Sequence, residues 1–573
     1  MNETHRVADF FAELLVREGV EVVFTIPGGT AMPLLEAISR RKSIRTVVAK
    51  DEAGAAFMAD GYAWASGKPG VVVTIGGPGA TNALTGLCCS AAQGNPVVLV
   101  SGEVPTVASG RRAVQDGTDL EIPVTAMSRP ATVLSTTGTN AESAKRALEE
   151  AFRRALHARR PAHVSLPLDV QRAELPSASV GRGNYRVPEE SGRGVNPESI
   201  RGAAAVLANG RKMALLVGRG ARGAESSLVA LAERLGCAVA TTCSGKGLFP
   251  ERHPLSIGVF SFAGGPLARA VLTGGLDVLC AIGTGLGEFA TMNFSDKLRP
   301  LGALVHLDRD PAVLGRNYPC LPICGDARLA VPALVASLGA SPQREARVPS
   351  WLTSLAREHE RFQHPWALES EASPIRPERV IRELERVLPE NACVLADIGT
   401  SCAFVAHCLR LSPPQRCYIP MAWSCMGHPL GASLGVRLGS GNPTFCVTGD
   451  GAFLAKGFEL HAAVEAKVSR FVWIVLSNGG HGLVRMGTEA ALGKDHGIEV
   501  GTFRETPDIE RIARALGAEA ARVDDPSALA STLRRAAECE RPFVVEVRVD
   551  EAARPPMEDR IQGLNPACVV DAS

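Results

Sequence analysis

The run from Pro443 to Asn478, PTFCVTGDGAFLAKGFELHAAVEAKVSRFVWIVLSN, constrains this chain more than any other stretch. PTFCVT and FVWIVLS are short, apolar and β-rich, and the Ala-, Leu-, Glu- and Lys-rich residues between them predict one helix. Strand, helix and strand in that order make a βαβ unit within a parallel sheet. Asp450, in Gly449-Asp450-Gly451, then follows the first strand and Asn478 ends its neighbour. Both sit at the carboxyl edge, where open α/β sheets bind ligands.

Those residue types at that edge suit an anion held through a metal. A hard cation such as Mg2+ takes oxygen ligands, typically one or two protein groups plus phosphate oxygens. The Asp450 carboxylate, the Asn478 amide oxygen and a backbone carbonyl near Gly480 supply half of such a shell. Gly449 and Gly451 permit close backbone approach to a phosphate, and the amides opening the next helix point at the same anion. An ordinary strand-to-helix turn uses Gly-Asp-Gly equally well. The polar Asn478 closing the next strand, followed by Gly479 and Gly480, favours the site.

With 573 residues the chain is long enough for about three domains. Its 61 basic and 60 acidic residues leave a net charge of +1, no footprint for nucleic acid or an anionic membrane, so small-molecule partners are expected. The start, MNETHRVADFFAELL, is polar and then amphipathic, without a signal-peptide pattern. No run approaches the roughly 18 apolar residues of a membrane span, and a cytoplasmic protein is expected. Fifteen cysteines scattered through apolar runs such as VLCAIG suit reduced core thiols better than a disulfide framework. Cys320 and Cys324 have no companion pair and do not read as a zinc site.

From residue 4 to about 175 helical and strand patterns alternate: helices near Val7 to Glu18, Met32 to Ser39, Ala53 to Ser66, Ala80 to Gln93 and Ala141 to Arg159, with strands between. That alternation predicts a doubly wound α/β domain. Residues 171 to 198 lose periodicity and gather Pro, Gly and Ser, as a linker does. KMALLVGRGA opens a second α/β unit, and a polar connector covers about 340 to 375. A third unit starts with a helix from Pro377 to Val387 and ends in PFVVEVRVD. The Pro-rich tail from Glu551 reads equally as a lid or as disordered chain.

Further segments carry a resemblance: Ile26-Pro27-Gly28-Gly29, Asp51-Glu52-Ala53-Gly54-Ala55, Gly61-Tyr62-Ala63, Gly67-Lys68-Pro69-Gly70 and Gly77-Pro78-Gly79-Ala80-Thr81-Asn82. With Gly-Asp-Gly and Asn478 they resemble, in order and over all but the tail, the thiamine diphosphate enzymes of the acetolactate synthase large subunit and pyruvate oxidase-like group. The resemblance implies α/β architecture with three doubly wound parallel-sheet domains: pyrimidine-binding at 1–175, central at 190–340 and diphosphate-binding at 370–555. It implies thiamine diphosphate and Mg2+, with Asp450, Asn478 and Gly480 at the metal. Gly449, Gly451, Gly480, Gly399, Thr400 and Ser401 would lie along the diphosphate, the hydroxyls donating to it. Glu52 falls where the family places the glutamate that hydrogen-bonds the aminopyrimidine. Read locally, Glu52 only caps its helix, since acids favour first turns. Gly28, Gly77, Pro78, Asn82 and Gln115 match positions near the aminopyrimidine or the reacting carbon. Met426, in Cys425-Met426-Gly427, matches the apolar wedge under the cofactor, although an isolated Met more often fills core. Because the family assembles each site across two subunits, a homodimer is the least expected, with a tetramer open.

Departures from acetolactate synthase run in one direction. Val114 stands for a phenylalanine, Val133 for a lysine and Gly487 for a tryptophan, each removing bulk or charge on the acceptor side. The expected pocket is wider than one for pyruvate plus a second small keto acid. His481 and Arg485 are candidates for holding a carboxylate or acceptor carbonyl, unless they belong to a solvated loop. Gln115-Asp116 occupies the loop where decarboxylase relatives carry twin histidines, which leaves His428 as the candidate acid. Gly218-Arg219-Gly220 follows a strand as in FAD-binding relatives, but Thr284 and Gly285 stand where FAD-bearing synthases have an arginine, so flavin stays open. The leading reading is a carboligase that decarboxylates a 2-keto acid such as pyruvate and transfers its acyl unit to a carbonyl acceptor. A decarboxylase or 2-hydroxy ketone lyase, and a catalytically silent regulatory homologue, are the alternatives.

Overall fold

The computed structural model describes residues 5–175, 194–339, 348–493 and 501–557. Most of the expected linker at 171–198, the start of the connector at 340–375 and the tail beyond Met557 lie outside the described residues. Within the connector the chain forms a helix at Ser350–Glu358, which its polar composition hid.

Three six-stranded sheets, each wholly parallel, carry the chain. The first holds β1 (Val22–Thr25), β2 (Arg45–Val48), β3 (Gly70–Ile75), β4 (Val97–Glu103), β5 (Ser135–Thr137) and β6 (Ala162–Pro167), in the order β2-β1-β3-β4-β6-β5. The second holds β7 (Met213–Val217), β8 (Ala238–Thr241), β9 (Ser256–Val259), β10 (Val278–Ile282), β11 (Ala303–Asp308) and β12 (Leu321–Cys324), ordered β9-β8-β7-β10-β11-β12. The third holds β13 (Cys393–Ala396), β14 (Arg416–Tyr418), β15 (Thr444–Gly449), β16 (Phe471–Ser477), β17 (Glu519–Val523) and β18 (Phe543–Arg548), ordered β14-β13-β15-β16-β18-β17. The first and third sheets thus share one strand order. The central strands are apolar throughout because helices cover both faces of a parallel sheet. No helix among the described residues is long and apolar enough to cross a membrane.

Seven helices position the site: α1 (Glu52–Ser66), α2 (Pro78–Gln93), α3 (Thr400–Cys408), α4 (His428–Ser440), α5 (Asp450–Lys456), α6 (Glu459–Glu465) and α7 (Gly482–Leu492). The single helix expected between the strands of the βαβ unit is two, α5 and α6, parted at Gly457 and Phe458. A Cβ at Gly457 would lie 2.4 Å from the Phe453 carbonyl oxygen, so only glycine fits that break.

Helices α1 and α4 join the first and third units. Small residues bring their backbones together: a Cβ at Gly61 would lie 2.1 Å from the Ala432 oxygen, and one at Gly435 1.8 Å from the Met58 oxygen. The facing positions, Phe57 with Gly431 and Tyr62 with Gly439, show that the helices run in the same direction. Their N-terminal ends therefore lie together, with Glu52 at one and Gly427 at the other.

Candidate active site

In the order β2-β1-β3 the chain leaves β1 in one direction and later returns on its other side, so the carboxyl edge between β1 and β3 is a switch point, where such sheets open a crevice. Gly28 follows β1 and Gly77 follows β3 at that crevice, Glu52 follows β2 and Gln115 follows β4. In the third unit the equivalent crevice lies between β13 and β15, flanked by Gly399 to Ser401 and by Gly449 to Gly451.

Asp51, not Glu52, caps α1: its carboxylate accepts the Gly54 amide at 2.8 Å. Glu52 is thereby free of the local role. Its carboxylate is buried, accepts Asn82 Nδ2 at 3.1 Å and lies 3.4 Å from the place a Cβ would take on Gly79 of α2. Gly77, at φ 51°, packs against the Gln115 backbone, 3.0 Å from its carbonyl oxygen to an added Cβ. Gln115 itself is exposed with φ 65°, and Val114 is 84% exposed, so this side of the crevice is open. Glu103, unremarked in the sequence, anchors that loop by accepting the Gly117 amide at 3.0 Å; burial pushes its carboxyl above the ordinary value.

In the third unit Asp450 is buried at the start of α5. Its Oδ1 accepts the Gly451 amide at 2.9 Å, and its Oδ2 the amides of Asn478 and Gly479 at 3.1 and 2.8 Å. Burial raises its pKa against the pull of these amides, and no cationic side chain pairs with it among the described residues. Asn478 and Gly480 follow β16, next to β15 in the sheet. A Cβ at Gly482 would meet Asn478 Nδ2 at 2.6 Å and Thr400 at 3.6 Å, which puts Thr400 beside the Asn478 loop. A Cβ at Gly449 would meet nothing within 4 Å. An acid in want of a cation, Asn478 bonded to it through its backbone amide and open space over the Gly449 backbone fit a metal-bound diphosphate.

Asp397, which the sequence reading passed over, ties this edge to the Met426 segment. It is fully buried, and its Oδ1 accepts the amides of Ile398 and Gly427 at 2.8 and 2.9 Å while Oδ2 accepts Thr448 Oγ1 at 2.8 Å. Burial pushes its carboxyl up to about 6. Met426 is 37% exposed, in keeping with a side chain that has a face to offer. Cys425 packs on Ala53, Phe57 and Cys89, so the Met426 segment abuts the start of α1.

Four expected roles meet prior commitments. The Ser401 hydroxyl donates to the Asp397 carbonyl at 2.8 Å and turns inward rather than to a phosphate. His428 is buried, with Nε2 2.9 Å from Asp60 and its ring against Phe57, in a network that includes Tyr418 and Asn95. Burial works to raise the Asp60 pKa, but His428 and the other donors hold it below its ordinary value. His428 therefore braces two units and is no open acid. Arg485 of α7 is paired with Glu551 at 2.9 Å, and the His481 ring packs edge-on against Phe503. Gly487 is half-buried on α7.

At the candidate flavin turn, the Gly218 and Gly220 amides donate to Ile282 and Gly283 carbonyls at 2.9 and 2.8 Å. Added Cβ atoms there would strike the Gly283–Thr284 segment, so close packing by itself accounts for both glycines.

Comparison with known proteins now bears on these sites. Residues 5–122 match the family described as "Thiamine pyrophosphate enzyme, N-terminal TPP binding domain", 200–334 its central domain and 397–547 its C-terminal TPP binding domain. "Acetolactate synthase" of Arthrospira platensis is 30% identical over 562 residues, 95% of this chain and 94% of that one. "Acetolactate synthase isozyme 3 large subunit" of Escherichia coli is 29% identical, covering 97% of each. "Probable 2-ketoarginine decarboxylase AruI" of Pseudomonas aeruginosa is 32% identical over 91% of this chain and 90% of its own. With one matched segment falling on each of the three parallel sheets, the chain belongs to the thiamine pyrophosphate enzyme family and is an enzyme of the acetolactate synthase-like kind that forms or breaks a carbon–carbon bond.

Proposed function

We propose that this enzyme is a thiamine diphosphate- and Mg2+-dependent carboligase that decarboxylates a 2-keto acid, pyruvate, and passes the acyl unit to a carbonyl acceptor larger than a second pyruvate. One observation carries the reading: a buried Asp450 without a cation stands beside Asn478 at one switch point, and Glu52, free of capping, stands at the other. Bound thiamine diphosphate supplies the carbanion chemistry that makes loss of the keto acid's carboxyl feasible.

The chain's own residues do the rest. Asp450, Asn478 and a carbonyl at Gly480 would hold Mg2+, and Gly399, Thr400, Gly449 and Gly451 would face the diphosphate. Glu52, oriented by Asn82, would be the group that shares a proton with a bound aminopyrimidine, and Gly28, Gly77 and Pro78 would leave room for it beside the backbone. Met426, steadied through the Gly427 amide on Asp397, would offer its apolar side chain to the cofactor. Gln115, beside the exposed Val114, faces the acceptor side. A homodimer, the first unit of one copy facing the third of another, belongs to this reading, as do a cytoplasmic setting and unit boundaries near 1–175, 190–340 and 370–555. Flavin does not, because the Gly218 and Gly220 amides are already bonded; a yellow purified protein would restore it.

Purified protein given thiamine diphosphate, Mg2+, pyruvate and a panel of aldehydes, ketones and keto acids is expected to yield a ligation product by mass spectrometry. Efficient acetolactate formation from pyruvate alone would count against the larger acceptor. Glu52→Gln is expected to lower kcat about 10²–10⁴-fold, the usual worth of a positioned proton carrier. Unchanged turnover rejects the mechanism.

Decarboxylation to a free aldehyde is the second reading, favoured by the likeness to the Pseudomonas protein. Against it stands the engagement of the two candidate acids, His428 with Asp60 and Asp116 with the Gly110 and Thr118 amides. Aldehyde release without any acceptor would decide for it. A silent homologue would have no need of Glu52, Asp450 and Asn478 together.

A further inference from the structure

Where the three units meet there is a cavity of about 230 Å3 lined by Trp64, Arg219, Arg222, Glu225, Lys246 and Arg416 among others. It is remote from the chemistry. Trp64 is twelve residues along α1 from Glu52, about 18 Å at the helical rise, and Arg416 begins β14 at the amino edge of its sheet.

The lining carries more positive charge than the protein neutralises. Lys246 is matched by Glu251, at 2.9 and 3.0 Å. Arg219, Arg222 and Arg416 form no ion pair among the described residues. Arg222 and Arg416 lie over the Trp64 indole, 4.5 and 4.4 Å from its centre, and donate to the Trp64 and Ala65 carbonyls at the end of α1. Arg219 reaches the Gln93 side chain and the Ala92 carbonyl. A helix C-terminus offers roughly half a negative charge. With Glu225 as the one unmatched carboxylate in the lining, and the C-termini of α1 and α2 each supplying about half a negative charge, three guanidiniums leave an excess of about one positive charge. Burial lowers the pKa of Arg219 and Arg222, although Tyr418, Asp60 and Asp308 pull the first upward and Glu225 the second. Arg222 and Arg416 cap α1 and Arg219 caps α2, and helix ends offset only part of the charge that three guanidiniums bring.

We propose that this cavity binds a small dianion, a phosphate or a dicarboxylate, between the guanidiniums of Arg219, Arg222 and Arg416. At about 230 Å3 it falls below the roughly 300–1,000 Å3 of sites for drug-sized ligands, which fits a compact anion rather than a dinucleotide. Its lining comes from all three units, so the ligand would tie them together. The inference does not rest on the proposed reaction.

The test uses the full chain saturated with thiamine diphosphate and Mg2+, so that the diphosphate site cannot take the probe. Inorganic phosphate and succinate are titrated by calorimetry and by thermal unfolding, against chloride at equal ionic strength. Saturable binding of one of the two, with a rise in Tm that chloride does not give, is expected, and the tighter of the pair identifies the ligand class. Arg222→Gln and Arg416→Gln should each weaken it about tenfold. Glu225→Gln, which removes the opposing charge, should tighten it several-fold, and this opposite direction cannot come from misfolding. No saturable binding of either anion to the unaltered protein, or equal affinity in all variants, overturns the proposal.

Discussion

At Gly449 the backbone has φ −100°, open to any residue, and an added Cβ would touch nothing. Gly449→Ala is therefore expected to leave stability within about 0.5 kcal/mol while weakening thiamine diphosphate binding, because the methyl occupies space kept for the diphosphate. Titration of the cofactor beside a thermal melt separates the two effects, and unchanged affinity would remove Gly449 from the site. Asp397 gives the converse. Asp397→Ala strands the buried Gly427 and Ile398 amides and is expected to cost about 1–3 kcal/mol, whereas Asp397→Asn keeps Oδ1 for both and should melt close to the parent. That Asp450 and Asn478 follow neighbouring strands at one carboxyl edge was legible in the sequence because short apolar runs mark strand ends. His428 was misplaced because its fate depends on Asp60, 368 residues away and hidden inside a helix. Burial of that kind leaves no local signal.

Helix packing makes its own demand. Gly435 on α4 lies so near Met58 of α1 that a methyl would sit 1.8 Å from a carbonyl oxygen, and backbone cannot step aside as a side chain can. Gly435→Ala is expected to lose about 1–3 kcal/mol despite its gain in helix propensity, seen as a lower urea midpoint; an unchanged midpoint would mean the helices part freely. Helices such as Met32–Ser39 and Pro377–Val387 fall where periodicity put them, since each repeats an apolar face and Pro marks its start. The division of α5 from α6 escaped notice because Gly457 differs from a tolerated helix glycine only through its contact with Phe453. Strand order lay wholly beyond the sequence: nothing local says that β6 pairs with β4 rather than with a strand beyond β5.

Across the whole molecule the first and third units are held by a buried acid that is costly to ionise. Glu459, at the start of α6, accepts the Lys50 and Asp51 amides just before α1, while Lys456 pairs with Asp51. Burial, with the Asp51 charge adding to it, pushes the Glu459 carboxyl up to about 7 against the amides and Lys456. Between its ordinary value near 4.5 and about 7, the folded chain keeps a proton that the unfolded chain has released. Stability from this group is thus complete below pH 4.5, falls as pH rises through that window and is level above it. A carboxyl raised this far is worth about 3 kcal/mol. Glu459→Gln keeps an acceptor for the amides without a charge to bury. The parent protein should therefore lose Tm relative to Glu459→Gln as pH rises from 5 to 7, with the difference constant from 8 upward. Melting both proteins across that range checks this. A gap that does not move with pH would mean that Glu459 ionises as readily inside the folded chain as in the unfolded one, and would remove its burial as a brake on that ionisation.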